Sequence, residues 1–248
     1  MAVPLTETSF ADLLGAQLAR DPGRPLVTSY DEAGGSRIEL SVRTYANWVD
    51  KTANLLTDEY LLGAGDVIRV ELPPHWLGTV FLGAAHTAGV AVTTDPATAA
   101  HLVVRGPDRL EQEAPDVPVV ACSLTPFATP FDRPLPEGVD DFGTLWPGQP
   151  DGFLGARVEP TTTGCRHGGT SHSQAELLDI ARQTAAGWQG DRLITDVDPL
   201  TECGSATFLP ALSRGGSMVL ITNAEDDQWP ARHEGERATD LLRSAELL

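Results

Sequence analysis

A run of threonines, glycines and basic residues in the second half of the chain has the composition of an anion-binding loop. It spans Thr161–Gly169 and reads Thr-Thr-Thr-Gly-Cys-Arg-His-Gly-Gly. Glycines let backbone N–H groups approach an anion closely, and hydroxyl groups add further donors. An apolar segment, 153–158, precedes the run, and a helix-like segment, 173–178, follows it. Strand, loop and helix N-terminus in this order predict a phosphate-binding loop.

Two observations bear on this prediction. The run is not a Walker motif, because no Gly-Lys-Ser/Thr sequence closes it. An ordinary connection between a strand and a helix is also rich in glycine and threonine. The flanking chain must therefore decide between the two interpretations.

The run resembles the phosphate loop of the AMP-binding, adenylate-forming superfamily, which includes acyl-CoA synthetases, luciferases and peptide-synthetase adenylation domains. The loop of that family reads roughly T-S-G-T-T-G-x-P-K-G and is followed by a Ser-His pair and a helix. The positions that match are Thr162, Thr163, Gly164 and Gly168. In contrast, Thr161 stands in place of the first glycine, Arg166 in place of the proline and His167 in place of the lysine.

The resemblance assigns phosphate binding to a set of seven residues: Thr161, Thr162, Thr163, Gly164, Arg166, His167 and Gly168. Arginine can bind a phosphate through two parallel hydrogen bonds, so Arg166 could partly replace the missing lysine. His167 is a poorer substitute, since a histidine is only partly charged near neutral pH. The alternative is a relic loop that keeps its fold and has lost its ligand.

The first 95 residues carry a second part of the resemblance. A Thr-Tyr pair at 44–45, the turn and strand Leu-Gly-Ala-Gly-Asp-Val at 62–67 and the Ala-Gly end of an apolar helix at 88–89 occur in the family's order. Residues 198–200 and 209–216 resemble a later region of the family. The family's adenine pocket, ribose-binding Asp and C-terminal domain with the catalytic lysine have no counterpart, and the sequence contains a single lysine, Lys51.

The resemblance therefore implies a truncated, degenerate acyl-CoA synthetase-like domain. We expect weak binding of a nucleotide or acyl-adenylate, with ATP or AMP and Mg²⁺ as the cofactors, and no adenylation of a carboxylate by the chain alone. No catalytic residue and no metal ligand is assigned. Two alternatives stay open: a non-catalytic interaction or regulatory scaffold that binds a protein partner or forms a homo-oligomer, and an ATP-dependent ligase completed by a partner chain.

Composition narrows the choice of partners and location. A formal net charge of −18 argues against nucleic acid and anionic membranes as partners. No apolar run is long enough to span a bilayer, and residues 1–7 lack the pattern of a signal peptide. The three cysteines are expected to be reduced thiols in a cytoplasmic protein. Zinc ligation by Cys165, His167, His172 and Cys203 is a weaker alternative, because the spacing fits no common finger pattern.

Hydrophobic periodicity predicts an α/β fold, with parallel-sheet layers and flanking helices like the N-terminal subdomains of AMP-binding synthetases. We expect an N-terminal lobe with a hairpin at 1–122, a proline-rich surface connection at 123–152 and a second lobe with the phosphate-like loop at 153–248. An acidic helix is expected at 235–248.

Overall fold

The computed structural model describes residues 7–112 and 115–246. These residues form two mainly parallel β-sheets with seven α-helices packed against them, so the predicted α/β fold class is confirmed. The region examined for a signal peptide, 1–7, lies outside the described residues except for Glu7, and so does the end of the predicted acidic helix, 247–248.

The first sheet, sheet A, joins strands from the two ends of the chain. Its order is β12-β10-β11-β1-β2, and every pairing is parallel except that of β1 with β2. The strands are β1 (Pro25–Asp31), β2 (Ser36–Ser41), β10 (Arg192–Thr195), β11 (Ser217–Thr222) and β12 (Asp240–Leu242). The antiparallel β1–β2 pair is the hairpin predicted from the sequence.

The second sheet, sheet B, contains the intervening strands in the order β7-β6-β5-β3-β4-β8-β9. All pairings are parallel except that of β8 with β9. The strands are β3 (Val67–Glu71), β4 (Ala91–Thr93), β5 (Leu102–Arg105), β6 (Val119–Ala121), β7 (Val139–Asp141), β8 (Thr163–His167) and β9 (Thr170–Ser173). Strands β5 and β6 are the two buried parallel strands that their continuous apolar sequences predict.

Helices begin where the sequence supplies an N-cap. Ser9, Ser41 and Ser173 each accept a backbone N–H in the first turn of the helix that follows, which satisfies a donor with no partner within the helix. The helices are α1 (Phe10–Arg20), α2 (Val42–Asn54), α3 (Trp76–Ala88), α4 (Phe142–Leu145), α5 (Gln174–Thr184), α6 (Phe208–Ser213) and α7 (Trp229–Gly235).

Helix α3 is the central element of the core. Every residue from Trp76 to His86 is buried, and α3 packs against both α1 and α2. The Tyr45 hydroxyl donates to the Thr79 carbonyl at 2.6 Å, which joins α2 to α3 inside the core. None of the helices in the described part of the chain has the length and apolar character needed to cross a membrane.

Three local expectations differ from the structure. Residues 153–158 are irregular rather than a strand, and the strand starts at Thr163. The acidic helix expected at 235–248 is wrong, because Gly235 ends α7 and the chain then forms edge strand β12. The proline-rich segment contributes strand β7 to sheet B and also forms helix α4, in which Phe142 is fully buried. The segment is therefore more than a surface connection. The division into lobes at this segment stays a prediction.

Candidate functional site

The predicted phosphate loop is a β-hairpin. Strand β8 pairs with β9, and His167 lies opposite Thr170 across a turn of two residues, Gly168 and Gly169. Both glycines have positive φ, 55° and 80°, which is the backbone of a tight hairpin turn that non-glycine residues rarely adopt. The segment is therefore strand, tight turn, strand and helix, where strand, open loop and helix was expected.

The seven predicted residues lie at the two ends of β8. Thr161 and Thr162 come just before this strand and Thr163 opens it, whereas Arg166 and His167 close it before Gly168. At a rise of about 3.3 Å per residue, some 16 Å separates Thr163 from Gly168. A single phosphate group cannot contact both sets. The hairpin thus divides the predicted residues into a threonine end and a glycine end.

The strand end near Gly164 is anchored in the core. The Gly164 carbonyl accepts a hydrogen bond from Nε2 of His86 at 3.0 Å. Gln174 donates from Nε2 to the His86 carbonyl at 2.7 Å and accepts from the Phe10 backbone N–H at 3.1 Å. Both polar side chains are buried. We call Gly164 and Cys165, with these partners, the hairpin base.

Burial determines the protonation state of the anchoring histidine. It lowers the pKa of His86 to about 4, since the charged imidazolium is disfavoured away from water. The neutral ring then carries one proton, and the bond to the Gly164 carbonyl places it on Nε2. His86 is not among the residues that the sequence assigned to the site. Its connection to the loop was missed, because 78 residues separate it from Gly164.

A disulfide completes the hairpin base. Cys165 on β8 is bonded to Cys203, with 5.9 Å between their α-carbons, and both side chains are buried. The expectation of three reduced thiols is wrong for this pair, and zinc ligation by these cysteines is wrong as well, because both sulfurs are bonded to each other. Cys122 is a free, buried thiol. The described residues hold no cluster of three or more His, Cys, Asp or Glu side chains suited to a metal ion.

Cys203 lies in an unusual turn after β10. Glu202 and Cys203 have φ of 51° and 54°, and Gly204 follows with φ of 88°. Residues other than glycine, asparagine and aspartate rarely adopt this left-handed backbone conformation, so the surrounding structure has to hold the turn in place. The disulfide to the hairpin is one such restraint.

The hairpin tip, Arg166–Gly169, is more exposed than the base. Its Gly168 N–H donates to the carboxylate of Asp95 at 3.1 Å. The same carboxylate accepts from the Ala97 N–H at 2.9 Å and from the Thr98 hydroxyl at 3.0 Å. These backbone hydrogen bonds, with a contribution from nearby His167, lower the pKa of Asp95. An internal carboxylate thus occupies a donor that a phosphate would use.

The remaining candidate donors of the hairpin are mostly uncommitted. Among the described residues, no group hydrogen-bonds the hydroxyls of Thr161, Thr162 or Thr163. Nη2 of Arg166 makes one long contact, 3.5 Å, with the Gly65 carbonyl. Lys51 is in a different place: its Nζ donates to the Gln149 carbonyl at 2.5 Å and pairs with Asp151 at 3.0 Å. The single lysine is therefore engaged in tying α2 to the proline-rich segment.

Comparison with solved structures identifies the fold. The chain superimposes on a coronafacic acid ligase from Pectobacterium brasiliense with a TM-score of 0.75 and 12% identity, covering 95% of this chain and 50% of the ligase. An anthranilate CoA ligase in complex with anthranoyl-AMP gives 0.73 and 12%, covering 96% and 50%. An acetoacetyl-CoA synthetase from Streptomyces lividans gives 0.74 and 17%, covering 96% and 42%.

These structures establish that the chain has the fold of the N-terminal part of acyl-CoA and adenylate-forming ligases, and that it spans about half the length of those proteins. No family model matches the sequence. A "TIGR03089 family protein" of Mycobacterium tuberculosis is 30% identical over 249 residues, covering 93% of this chain and 96% of the relative. The chain belongs to the TIGR03089 family.

Proposed function

We propose that this chain is a degenerate acyl-CoA synthetase-like domain that binds a nucleotide or acyl-adenylate weakly and does not adenylate a carboxylate by itself. The observation that carries the proposal is the fold of a ligase N-terminal half around an altered hairpin. The tip presents Arg166 and His167 at the positions that resemble the family's proline and lysine. The neighbouring Asp95 carboxylate competes for the Gly168 N–H and repels phosphate.

The positions of the cationic side chains argue against catalysis by this chain alone. Transferring a phosphoryl or acyl group requires preorganised cations at the developing negative charge. The single lysine, Lys51, contacts the proline-rich segment. Among the described residues, Arg166 makes one hydrogen bond, the long contact with the Gly65 carbonyl. ATP or AMP with Mg²⁺ remains the ligand to test, since one protein with this fold is solved with an acyl-adenylate, anthranoyl-AMP.

The proposal is tested by calorimetric titration of AMP and of ATP with Mg²⁺. We expect a Kd of about 1 mM for the wild-type protein, weakened about fivefold or more by Arg166→Ala. Asp95→Asn should tighten binding several-fold, because it removes a negative charge beside the ligand. Arg109→Ala, an exposed arginine after β5, is the matched control and should change nothing. Affinity that is unaffected by both Arg166→Ala and Asp95→Asn would rule out this binding site.

A second candidate function is a non-catalytic interaction scaffold. It is favoured by the tip, where Asp95 satisfies a donor of the turn without any ligand, and by exposed apolar side chains such as Leu154, which is 98% exposed. No heat with any nucleotide, together with a dimer or larger assembly in light scattering, supports this candidate. A third, a ligase completed by a partner chain, requires ATP-dependent activity that appears only when a second polypeptide is added.

A further inference from the structure

A cavity of about 500 Å³ lies away from the hairpin, where the C-terminal ends of α1, α5 and α6 meet. We call it the arginine pocket. Leu13, Ala16 and Leu212 form part of an apolar wall. The side chains of Arg20, Arg182 and Arg214 also line the cavity. A cavity of this size, with an apolar wall and a few charged groups, is typical of a small-molecule site.

The concentration of cations here is unusual for this protein. The chain has 17 cationic side chains against 35 carboxylates, yet three arginines from three different helix ends line one cavity. A fourth, Arg24, lies beside them and donates from Nη2 to the Gly216 carbonyl at 2.9 Å. Burial and, next, the charge of Arg20 lower the pKa of Arg24, whereas Asp191 and Asp21 raise it.

Two of the lining arginines also hold the helix ends together. Arg214 donates from Nε to the Gly190 carbonyl at 2.7 Å and from Nη1 to the Ala185 carbonyl at 2.9 Å. Arg182 pairs with Asp179 at 3.0 Å and donates to the Glu7 carbonyl, while its Nε is buried without a partner. Helix C-termini attract cations, so part of this arrangement is structural.

Arg20 is different, because it has no such partner. No hydrogen bond or ion pair joins its side chain to any residue in 7–112 or 115–246. Its guanidinium lies against the turn after α6, since a β-carbon at Gly215 would come within 2.6 Å of Nη1. The N–H donors of the Arg20 guanidinium thus lie at the cavity and have no partner among the described residues.

Two carboxylates limit which anions the cavity accepts. Glu7 and Asp191 also line it, and Oε2 of Glu7 is buried with no hydrogen-bond partner among the described residues. A polyphosphate would be repelled by these groups. An anion with a single acidic group would bind Arg20 with less repulsion from Glu7 and Asp191.

We propose that the arginine pocket binds a small organic anion with one carboxylate or phosphate on a compact apolar body. Arg20 binds the oxyanion, and the apolar body lies on the wall formed by Leu13, Ala16 and Leu212 of α1 and α6. This site is separate from the hairpin and does not depend on nucleotide binding there.

The test is calorimetric titration with benzoate, salicylate, phenyl phosphate and inorganic phosphate, with benzyl alcohol as a neutral control. We expect a Kd below about 1 mM for salicylate or phenyl phosphate, and no binding of benzyl alcohol. If phenyl phosphate binds more tightly than salicylate, the ligand carries a phosphate. If salicylate binds more tightly, the ligand carries a carboxylate.

Arg20→Ala should weaken the best probe about tenfold or more, because the charge-assisted hydrogen bonds are lost. Arg43→Ala, an exposed helical arginine outside the cavity, is the matched control. Arg20 is exposed and unpartnered, so its variant should fold, which a thermal unfolding curve checks. The proposal is overturned if no probe binds below about 10 mM, if inorganic phosphate binds as well as phenyl phosphate, or if Arg20→Ala leaves the Kd unchanged.

The two sites can be told apart in the same experiments. Arg166→Ala should leave binding of the aromatic anions unchanged, and Arg20→Ala should leave AMP binding unchanged. If the wild-type protein binds the aromatic anions and not AMP, only the proposed function is contradicted. If it binds AMP and none of the aromatic anions, only the arginine pocket is contradicted.

Discussion

The two ends of β8 differ in burial and in the contacts that hold them in place. The hairpin base is buried, and a neutral histidine, a buried glutamine and a disulfide hold it. The hairpin tip is more exposed and is held at its turn by one carboxylate contact, from Asp95. The residue at the base, Gly164, is a position that matches the ligase family, whereas Arg166 and His167 at the tip depart from it.

The difference teaches that packing and ligand binding constrain separate parts of one motif. Gly164 is required by its neighbours, since a β-carbon there would lie 3.0 Å from Cδ1 of Leu177 and 3.1 Å from Nε2 of His86. Gly168 and Gly169 face open space and are required only by their positive φ. The match at Gly164 is therefore explained by packing, and phosphate binding by the other predicted residues stays a prediction.

The largest difference between base and tip should come from the disulfide. Replacing Cys165 and Cys203 together by serine should lower the free energy of unfolding by about 3 to 4 kcal/mol, because the unfolded chain loses a 38-residue cross-link. Urea denaturation with and without reductant measures this. Reductant should destabilise the wild-type protein and leave the double variant unchanged. Three reactive thiols in the unreduced, unfolded protein would contradict the pairing.

The second effect is a dependence of stability on pH at the base. The pKa of His86 is about 4 in the folded state, below its ordinary value of 6.5, so the folded state binds fewer protons. This contribution is complete above about pH 6.5 and is lost as the pH falls toward 4, by up to about 3 kcal/mol. His75, whose pKa burial also lowers to about 4, adds a similar loss.

Unfolding free energies measured by urea between pH 7 and 4 check this prediction. His86→Gln should remove the His86 contribution to the slope while keeping a donor for the Gly164 carbonyl. A slope identical to that of the wild-type protein would show that His86 is not a buried neutral histidine.

The smallest effects compare two glycines. Gly164→Ala should cost about 1 to 3 kcal/mol, because the added methyl group overpacks the base. Gly168→Asn should change stability by less than about 0.5 kcal/mol, since Asn-Gly is favoured in a two-residue hairpin turn. Thermal unfolding of both variants is the measurement. Equal losses at the two positions would remove the distinction between base and tip.

Local patterns predicted most of the fold. Ser41 as an N-cap, the apolar face of α2 and the alternation of buried strands with helices are properties of neighbouring residues, which sequence reasoning can use. The two-residue turn at Gly168 was missed because its glycines also suit a phosphate loop. The double glycine is the signal that could have found the turn.

Long-range contacts account for the features that the sequence did not predict. Asp95 reaches Gly168 across 73 residues, and Cys165 bonds to a cysteine 38 residues away. Nothing near Asp95 in sequence indicates that its carboxylate faces a distant turn. Cysteine pairing cannot be deduced from spacing alone. The candidate site thus depends on contacts that only the folded chain defines.

The pairing of β1 with β11 has a consequence for how the protein is made. Val27 lies opposite Met218, so the strand completed early in synthesis has no parallel neighbour until nearly all of the described chain has left the ribosome. Such non-local pairing slows folding and leaves apolar strand surface exposed in the meantime. We expect nascent chains of this protein to depend on chaperones that shield β1 and β2 until β11 arrives.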